Sequence, residues 1–320
     1  MEIKSKLLYY VAMIKVFGHI SPDTDTVGSA ILWAWYLNNH SVHKATPYVL
    51  GKLNKETSFV LDRWGIDEPE LLTEVKEDDE VIIVDTNNPE ELLENINVAK
   101  ILGIIDHHKL TGGISTSHPI EVTMKPYAST ATVIHELMGE AKDSLPDDIS
   151  GIMLSCILSD TLMFRSPTTT PHDKDIAEKL AQKLGVDIQK YADEMFKAKS
   201  DMSDFTDIGL VHLDSKKFEV GDKKIRISSI ETTDPESILA RKDGLVKAIK
   251  QVLKDEQDTD EILLFIISIL EEQATVLTYN QFSKDIISTS FNVTVENDTE
   301  VLPGIVSRKK QIFPALKLPY

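Results

Sequence analysis

The densest group of chemically versatile side chains lies near the start of the chain. Residues Gly18–Thr26 read GHISPDTDT and place an imidazole and two carboxylates, His19, Asp23 and Asp25, in one loop. Such a loop can direct these side chains toward one point, whereas a regular strand sends successive side chains to opposite faces. The loop can therefore hold a cation, although Asp23 and Asp25 are also good caps for a following helix.

Two further apolar runs end in the same residue types. Val81–Val84 ends at Asp85, and Ile101–Ile105 ends in the triplet DHH, residues Asp106–His108. Ligands of open parallel sheets bind at the carboxyl ends of the strands, where these residues would meet. A lone strand-end aspartate more often forms a turn or a cap. The same residue types, aspartate and histidine, thus follow three strands. Together they predict a metal site, because clustered carboxylates repel one another without a cation.

The ligand types indicate the metal and the chemistry. Mixed imidazole and carboxylate ligands suit manganese, cobalt or iron better than magnesium alone, which prefers oxygen ligands and several waters. Two such ions about 3.5 to 4 Å apart activate a water as a nucleophile and clamp a phosphoryl group. The predicted activity is hydrolysis of a phosphoester or a phosphoanhydride.

Short strands and helices alternate around these residues. Apolar strands are predicted at 12–17, 81–84 and 101–105, and helices at 27–37, 129–138, 150–157 and 175–184. All-apolar strands alternating with helices predict an α/β fold whose parallel sheet is covered on both faces.

A polar stretch then divides the chain. The predicted boundaries are a first domain at 1–196, a linker at 197–204 and a smaller second domain at 205–320. Within the second domain the pattern predicts strands at 223–230 and 262–270, a helix near 238–253 and a final pair of strands around 292–305.

Composition excludes several classes of protein. The 320 residues carry 52 acidic and 34 basic side chains, a net charge of −18, which argues against a general nucleic-acid binder. Cys156 is the only cysteine, so no internal disulfide can form, and a reducing, cytoplasmic location is expected. No apolar run reaches the roughly 18 residues that span a bilayer. Leu7–Ile14 faintly imitates a signal peptide but lacks a cleavage site.

Five segments, in chain order, resemble the motifs of the DHH phosphoesterases, and specifically of the family II, manganese-dependent inorganic pyrophosphatases. They are GHISPDTDT, VIIVD, DHH, LSCILSDTLMFRSPT at 154–168 and SRKKQ at 307–311. The resemblance implies an α/β fold with an N-terminal DHH domain and a smaller C-terminal substrate-binding domain joined by a hinge. It also implies hydrolysis of inorganic pyrophosphate to two phosphates.

The resemblance assigns metal binding to six residues at two manganese or cobalt sites: His19 and Asp23 at one, Asp25, His107 and Asp160 at the other, and Asp85 bridging both. His108 would lie close to the substrate and the nucleophile, a hydroxide bridging the metals. Asp85 and His108 are thus the expected catalytic residues.

Three cations of the second domain match the family's substrate-binding residues: Lys216, Arg308 and Lys309. Four carboxylates balance two divalent ions, so a diphosphate needs this additional positive charge. A magnesium ion bound with the substrate would neutralise more of the negative charge of the diphosphate. Closure of the domains about the linker would then assemble the site.

The chain departs from the family pattern at a few points. Thr86 stands where many members have a histidine, a change that could alter hydrogen bonding around Asp85. A one-residue misalignment would put Lys217 in place of Lys216. Residues 1–12 precede the usual family start and are either an upstream extension or a genuine addition.

Competing functions remain open. An exopolyphosphatase or another DHH phosphoesterase would use a similar metal site, although no glycine-rich, histidine-containing nucleotide motif follows residue 200. A binding or scaffolding protein that has lost turnover would lack a ligand or a cation, and none of the matched positions lacks one. The family also implies a homodimer formed through the first domain.

Overall fold

A computed structural model of the chain describes residues 13–319, which form two compact units that divide between Ala198 and Lys199. The expectations for residues 1–12 lie outside the described residues, as does Ala12, the predicted start of the first strand. The domain boundaries drawn from the sequence stay predictions.

The first unit is built on a six-stranded parallel sheet. Its strands are β1 (Met13–Phe17), β2 (Lys44–Val49), β3 (Glu70–Leu71), β4 (Glu80–Val84), β5 (Lys100–Asp106) and β6 (Glu121–Met124). They lie in the order β3-β2-β1-β4-β5-β6, and every neighbouring pair is parallel. The predicted parallel α/β fold is confirmed.

The described residues of this part of the chain form six α-helices: α1 (Thr24–His40), α2 (Lys55–Trp64), α3 (Thr130–Leu137), α4 (Asp147–Asp160), α5 (Pro171–Leu184) and α6 (Ile188–Lys199). The predicted helices at 27–37, 129–138, 150–157 and 175–184 correspond to α1, α3, α4 and α5. Gly185 adopts the left-handed conformation directly after α5, as expected for a glycine that ends a helix.

Helix α4 lies at the centre of the helical layer. Every residue from Ile149 to Ser159 is buried, and the helix contacts α1, α2, α3 and α5. A Cβ atom at Gly28 of α1 would collide with Sγ of Cys156 in α4, so the glycine allows the two backbones to approach closely. This close packing fixes the position of Asp160 at the end of α4 relative to the loop that precedes α1.

The second unit contains a smaller, mixed sheet. Its elements are α7 (Asp207–His212), β7 (Ser215–Val220), β8 (Lys223–Thr232), α8 (Pro235–Leu239), α9 (Lys242–Asp255), β9 (Glu261–Ser268), β10 (Gln273–Leu277), α10 (Gln281–Phe291), β11 (Thr299–Pro303) and α11 (Phe313–Ala315). The strand order is β11-β10-β9-β8-β7, with β8 and β9 parallel and the other pairs antiparallel. A second α/β domain is therefore confirmed.

Strand β9 separates two apolar cores. All eight of its residues are buried. Ile262, Leu264 and Ile266 pack into a cluster with α7, α8 and α9, while Leu263 and Phe265 pack with α10 and the C-terminal residues. This alternation is the period-2 geometry of a strand buried on both faces.

The predicted pair of strands around 292–305 is wrong, because that stretch contains only β11. Its antiparallel partner is β10, which precedes α10. Val293 and Val295 pack against the core without joining the sheet. Their alternating pattern arises from packing of an irregular segment. The single helix predicted near 238–253 is interrupted, and α8 and α9 take its place.

Among the described residues, no helix combines the length and the apolar character that crossing a membrane would require.

Candidate metal centre

The carboxyl ends of β1, β4 and β5 lie side by side, because these strands are neighbours in the sheet. The loops that follow them bring the imidazoles and carboxylates of the three sequence segments to one edge of the first unit.

Asp23 caps the following helix and also contacts His19. Its Oδ1 accepts a hydrogen bond from the backbone N–H of Thr26 at 2.9 Å and caps α1. Its Oδ2 lies 3.7 Å from Nε2 of His19. The capping role and the metal-binding role, which compete as interpretations of the sequence, are therefore compatible at Asp23.

Asp25 is completely buried in the first turn of α1. Its oxygens accept hydrogen bonds from the Ser129 hydroxyl at 2.8 Å and from the backbone N–H groups of Thr130 and Ala131 at 2.6 and 3.1 Å. These donors form the N-terminal end of α3. Burial and then the neighbouring charge of Asp85 raise the pKa of Asp25 to about 7.

Asp85 lies at the centre of the cluster. Its Oδ2 is 3.6 Å from Nε2 of His19, and its Oδ1 is 3.4 Å from Nε2 of His107. The hydroxyls of Thr26 and Thr130 donate to the two oxygens at 2.5 and 2.9 Å. Burial opposes ionisation, but the contacts with His107 and His19 hold the pKa of Asp85 well below its usual range.

The backbone of Asp85 is left-handed, with a φ of 61°. Aspartate tolerates this conformation better than most residues, and such strain is found where function fixes a side chain. Its N–H donates to the Ile105 carbonyl at 2.9 Å, which holds the turn against the end of β5. The turn directs the carboxylate between the histidines of the neighbouring loops.

His107 and Asp160 complete the buried side of the cluster. Nδ1 of His107 lies 3.0 Å from the Tyr127 carbonyl oxygen, and Nε2 lies 3.6 Å from Oδ2 of Asp160. Burial and then the charge of Asp25 raise the pKa of Asp160 well above its usual range.

A tight left-handed turn follows Asp160. Leu162, Met163 and Phe164 have φ angles of 47°, 52° and 68°, which is unusual for three successive residues that are not glycine. The turn ends α4 at Asp160, and its backbone strain is typical of segments held by a functional site.

His108 is oriented by the aspartate of its own DHH triplet. Buried Asp106 accepts hydrogen bonds from Nδ1 and the backbone N–H of His108, both at 3.0 Å, and from Nδ2 of Asn87 at 2.5 Å. Nδ1 of His108 is also 3.8 Å from Oδ1 of Asp85. Sequence reasoning assigned Asp106 no role of its own, although its place in the triplet was a usable signal.

The histidines also depend on the carboxylates. Burial opposes protonation of His19, but Asp23 and Asp85 raise its pKa to about 10. Burial likewise opposes protonation of His107, while Asp85 and Asp25 raise its pKa to about 9. The cluster thus requires positive charge, which protons or metal ions can supply.

The donor set fits divalent metal ions. Among residues 13–319, three groups of side chains each place their ligand atoms within 4.8 Å of one another: His19 with Asp23 and Asp85, Asp25 with His107 and Asp160, and Asp85 with His107 and His108. Within the part of the chain that the structure describes, Nε2 of His107 is buried without a hydrogen-bond partner, so a metal ion could take the place of its proton. Asp85 belongs to two of these groups.

The basic residues matched by the sequence lie in the second unit. On β7, Lys217 forms ion pairs with Asp258 at 2.5 Å and Glu256 at 3.1 Å. Lys216 is exposed and lies on the opposite face of the strand, the face that includes Phe218 of the C-terminal core. The geometry therefore favours Lys216 over Lys217 as the lysine open to a ligand.

Arg308 and Lys309 lie in a short π-helix, Arg308–Ile312, whose first turn is capped by Ser307. Nη2 of Arg308 is 2.8 Å from Oδ1 of Asp214. Nη1 is buried and has no hydrogen-bond partner among the residues that the structure describes, and Lys309 is exposed. The Arg308 guanidinium is thus held by Asp214 through Nη2, while no described residue satisfies the N–H groups of its buried Nη1.

Two domain families define the class of protein. Residues 13–159 match the DHH family, N-terminal domain, and residues 193–318 match the DHHA2 domain. A crystal structure described as that of a family II inorganic pyrophosphatase from Methanococcus jannaschii is 37% identical with a TM-score of 0.61, covering 95% of this chain and 98% of that one. The fold is that of a protein with a DHH domain followed by a DHHA2 domain.

Similar proteins of known family show which DHH family the chain belongs to. Manganese-dependent inorganic pyrophosphatases of Bacillus subtilis and Methanocaldococcus jannaschii are 39% and 37% identical to the chain. The alignments each cover 95% of this chain, and 97% and 98% of the respective relatives. The chain belongs to the manganese-dependent inorganic pyrophosphatase family.

The contacts of Asp85 with both His19 and His107 predict that manganese binding depends on its charge. Asp85→Asn removes a charge placed between His19 and His107, so we expect manganese affinity to fall by at least about 100-fold, beyond the usual effect of residues that only support a ligand. Manganese titration of chelator-stripped protein, with counting of bound ions, measures this. Asp67→Asn, at an exposed aspartate of the same unit, is the control. Unchanged metal content in the Asp85 variant contradicts the assignment.

Proposed function

We propose that this chain hydrolyses inorganic pyrophosphate to two phosphates. The observation that carries the proposal is the sharing of Asp85 between His19 and Asp23 on one side and the two DHH histidines on the other. Such an arrangement suits a pair of metal ions that bind a phosphoanhydride. Relatives named manganese-dependent inorganic pyrophosphatase support this substrate.

The ligand assignment follows the clusters. His19 and Asp23 would hold one ion, Asp25, His107 and Asp160 the other, and Asp85 both, with manganese or cobalt as the metals. When bound, the ions supply positive charge to the phosphate oxygens and make a water nucleophilic at neutral pH.

His108 would act on the substrate through its free ring nitrogen. Asp106 binds Nδ1, and this hydrogen bond raises the pKa of the imidazole. The protonated ring can donate from Nε2 to a phosphate oxygen, while Nδ1 stays fixed. Asp106 thus keeps the ring in one orientation throughout the reaction.

The cations of the second unit would bind the phosphates. Arg308 offers the buried N–H groups of Nη1, which no protein acceptor satisfies among the described residues. A planar guanidinium can bind two phosphate oxygens together, and Lys216 and Lys309 add point charges. A magnesium ion bound with the substrate would neutralise the remaining charge.

A metal-replacement assay tests the function. Chelator-stripped protein is given magnesium alone, or manganese or cobalt followed by magnesium, and phosphate release from pyrophosphate is measured. We expect strong activity only after manganese or cobalt, because the imidazole-containing clusters suit these ions better than magnesium.

The same assay compares substrates. Tripolyphosphate and a short oligonucleotide are offered at equal concentration. Faster turnover of tripolyphosphate would indicate an exopolyphosphatase, and cleavage of the oligonucleotide another DHH phosphoesterase. No hydrolysis of any of them with metal bound would refute the proposed function.

The two faces of β7 generate a matched pair of variants. Lys216→Ala should raise KM for pyrophosphate by about 10-fold or more, because a hydrogen bond to a charged group contributes about 1.5–3 kcal/mol. Lys217→Ala should change KM little, since that lysine already pairs with Asp258 and Glu256. Steady-state kinetics with saturating metal measures both. A larger effect at Lys217 would reverse the assignment.

We also propose a homodimer formed through the first unit. In support, β6 is the last strand of the sheet, and its Val122 is 50% exposed. A cavity of about 210 Å³ beside it is lined in part by Trp33 and Leu137. Val122→Glu should then reduce the sedimenting mass from about twice 35.8 kDa to the monomer value. Val42→Glu, at a side chain that is 88% exposed, is the control. A wild-type monomer at assay concentration would remove this proposal.

We propose a cytoplasmic location, because the single cysteine is typical of a reducing compartment. We also propose that the protein has no nucleic-acid partner, because its net charge is −18. Cell fractionation and a binding assay with labelled DNA and RNA test the two statements.

A further inference from the structure

A carboxylate outside the predicted ligand set is buried one peptide group away from His107. Asp173 lies in the first turn of α5 and has no exposed surface. Its Oδ2 accepts hydrogen bonds from the backbone N–H and the hydroxyl of Thr170 at 2.9 and 2.6 Å, while its own N–H donates to that hydroxyl. This capping box accounts for one of the two carboxylate oxygens.

The contacts of Asp173 extend beyond the helix cap. Oδ1 accepts a hydrogen bond from the Thr132 hydroxyl at 2.6 Å, and the backbone N–H of Ala128 lies 3.3 and 3.2 Å from Oδ1 and Oδ2. A carboxylate that only caps a helix usually keeps its second oxygen in water. Full burial is costly and is offset here by donors from the segment that leads into α3.

That segment carries the contact of His107. The peptide group between Tyr127 and Ala128 points its carbonyl oxygen at Nδ1 of His107, at 3.0 Å, and its N–H at Asp173. A peptide group is planar, so fixing its N–H end also fixes its carbonyl end. Asp173 thereby sets the orientation of the oxygen that faces His107.

The orientation of His107 decides which nitrogen can bind a metal. With Nδ1 donating to the Tyr127 carbonyl, the lone pair is on Nε2, which faces Asp85 at 3.4 Å and Asp160 at 3.6 Å. Metal-binding histidines usually donate their second N–H to a carboxylate or a carbonyl. A negative charge on the far side of the peptide polarises it and strengthens its carbonyl as an acceptor.

A second route leads from Asp173 to Asp25. Thr132 lies in the first turn of α3, the helix whose N-terminal N–H groups, those of Thr130 and Ala131, bind Asp25. Asp173 therefore binds the segment 128–132 at both of its ends. This segment and the carbonyl before it contact His107 and Asp25, two members of one predicted metal group.

We propose that Asp173 is a positioning residue of the metal centre, which acts through the Tyr127–Ala128 peptide on His107 and through Thr132 on Asp25. The inference rests on the proposed function and adds a residue that would orient two ligands of the site formed by Asp25, His107 and Asp160. It does not depend on the identity of the substrate.

Asp173→Asn tests the inference in the full-length, chelator-stripped protein. The amide keeps the size of the side chain but loses the charge and one acceptor oxygen. We expect manganese affinity at the site that Asp25, His107 and Asp160 would form to fall by about 10- to 100-fold, the range observed for residues that orient metal ligands. The visible absorption of bound Co²⁺ should also change, because the orientation of a ligand changes.

Asp175→Asn is the matched control. Asp175 lies in the same helix but is exposed and pairs with Lys179 at 2.6 Å. We expect its metal affinity and cobalt spectrum to match those of the wild type. Thermal unfolding of the metal-free proteins separates loss of the helix cap from loss of the metal centre.

Thr132 offers a variant that leaves the cap of α5 intact. Thr132→Val removes only the hydroxyl that donates to Asp173, and we expect a smaller loss of manganese affinity that Thr132→Ser restores. This pair tests the proposal even if the Asp173 variant does not fold.

Wild-type manganese affinity and an unchanged cobalt spectrum in Asp173→Asn would overturn the proposal and leave Asp173 a helix cap. The same result in Thr132→Val would overturn the route to Asp25. Both measurements are made without substrate, so failure to hydrolyse pyrophosphate would leave them interpretable.

Discussion

Repulsion between carboxylates at one sheet edge is the constraint on which the first unit depends. Asp25, Asp85 and Asp160 are held close together; the first two are buried and the side chain of Asp160 is 20% exposed. Burial and the neighbouring charge of Asp85 raise the pKa of Asp25 to about 7. Such a cluster persists only when positive charge and hydrogen-bond donors compensate it. The surrounding structure supplies the donors: the first turn of α1, the N-terminal end of α3 and the histidines of two loops.

The parallel sheet makes this concentration possible. Adjacent parallel strands end at the same edge, so three short loops deliver ligands from distant parts of the sequence. Dense packing of α4 against α1 adds Asp160 from the helical layer. Metal binding and the folding of this unit are therefore linked, since the ions would relieve the repulsion that folding creates.

The sequence predicts the strand-end residues well because local patterns carry them. Apolar runs mark the strands, and the polar residues that follow each run identify the edge. Asp106 and Asp173 were not assigned roles, because their importance arises from contacts with residues far away in the chain or from orientation of a neighbour. The stretch 292–305 contains one strand where a pair is predicted, because the alternating Val293 and Val295 report burial on one side and do not distinguish a strand from an irregular segment.

Thr86 shows how a departure from a motif can be accommodated locally. It is buried, and its hydroxyl donates to Oε2 of Glu91 at 2.7 Å. The carbonyl of Glu91 in turn accepts a hydrogen bond from Ile20, the residue after His19, at 2.8 Å. The threonine therefore connects the turn after β4, through Glu91, to the loop that carries His19 and Asp23.

The setting of Cys156 also makes the chain convenient for spectroscopy. This only cysteine is completely buried in α4, its thiol faces the Thr24 carbonyl, and burial raises its pKa well above the usual value. A buried thiol with a raised pKa reacts slowly with maleimides and methanethiosulfonates, because the thiolate is the reactive form. A cysteine introduced on each unit could thus carry a fluorophore or spin label over a nearly silent background. Distances between the two units could then be followed in the otherwise native chain while metals and phosphates bind.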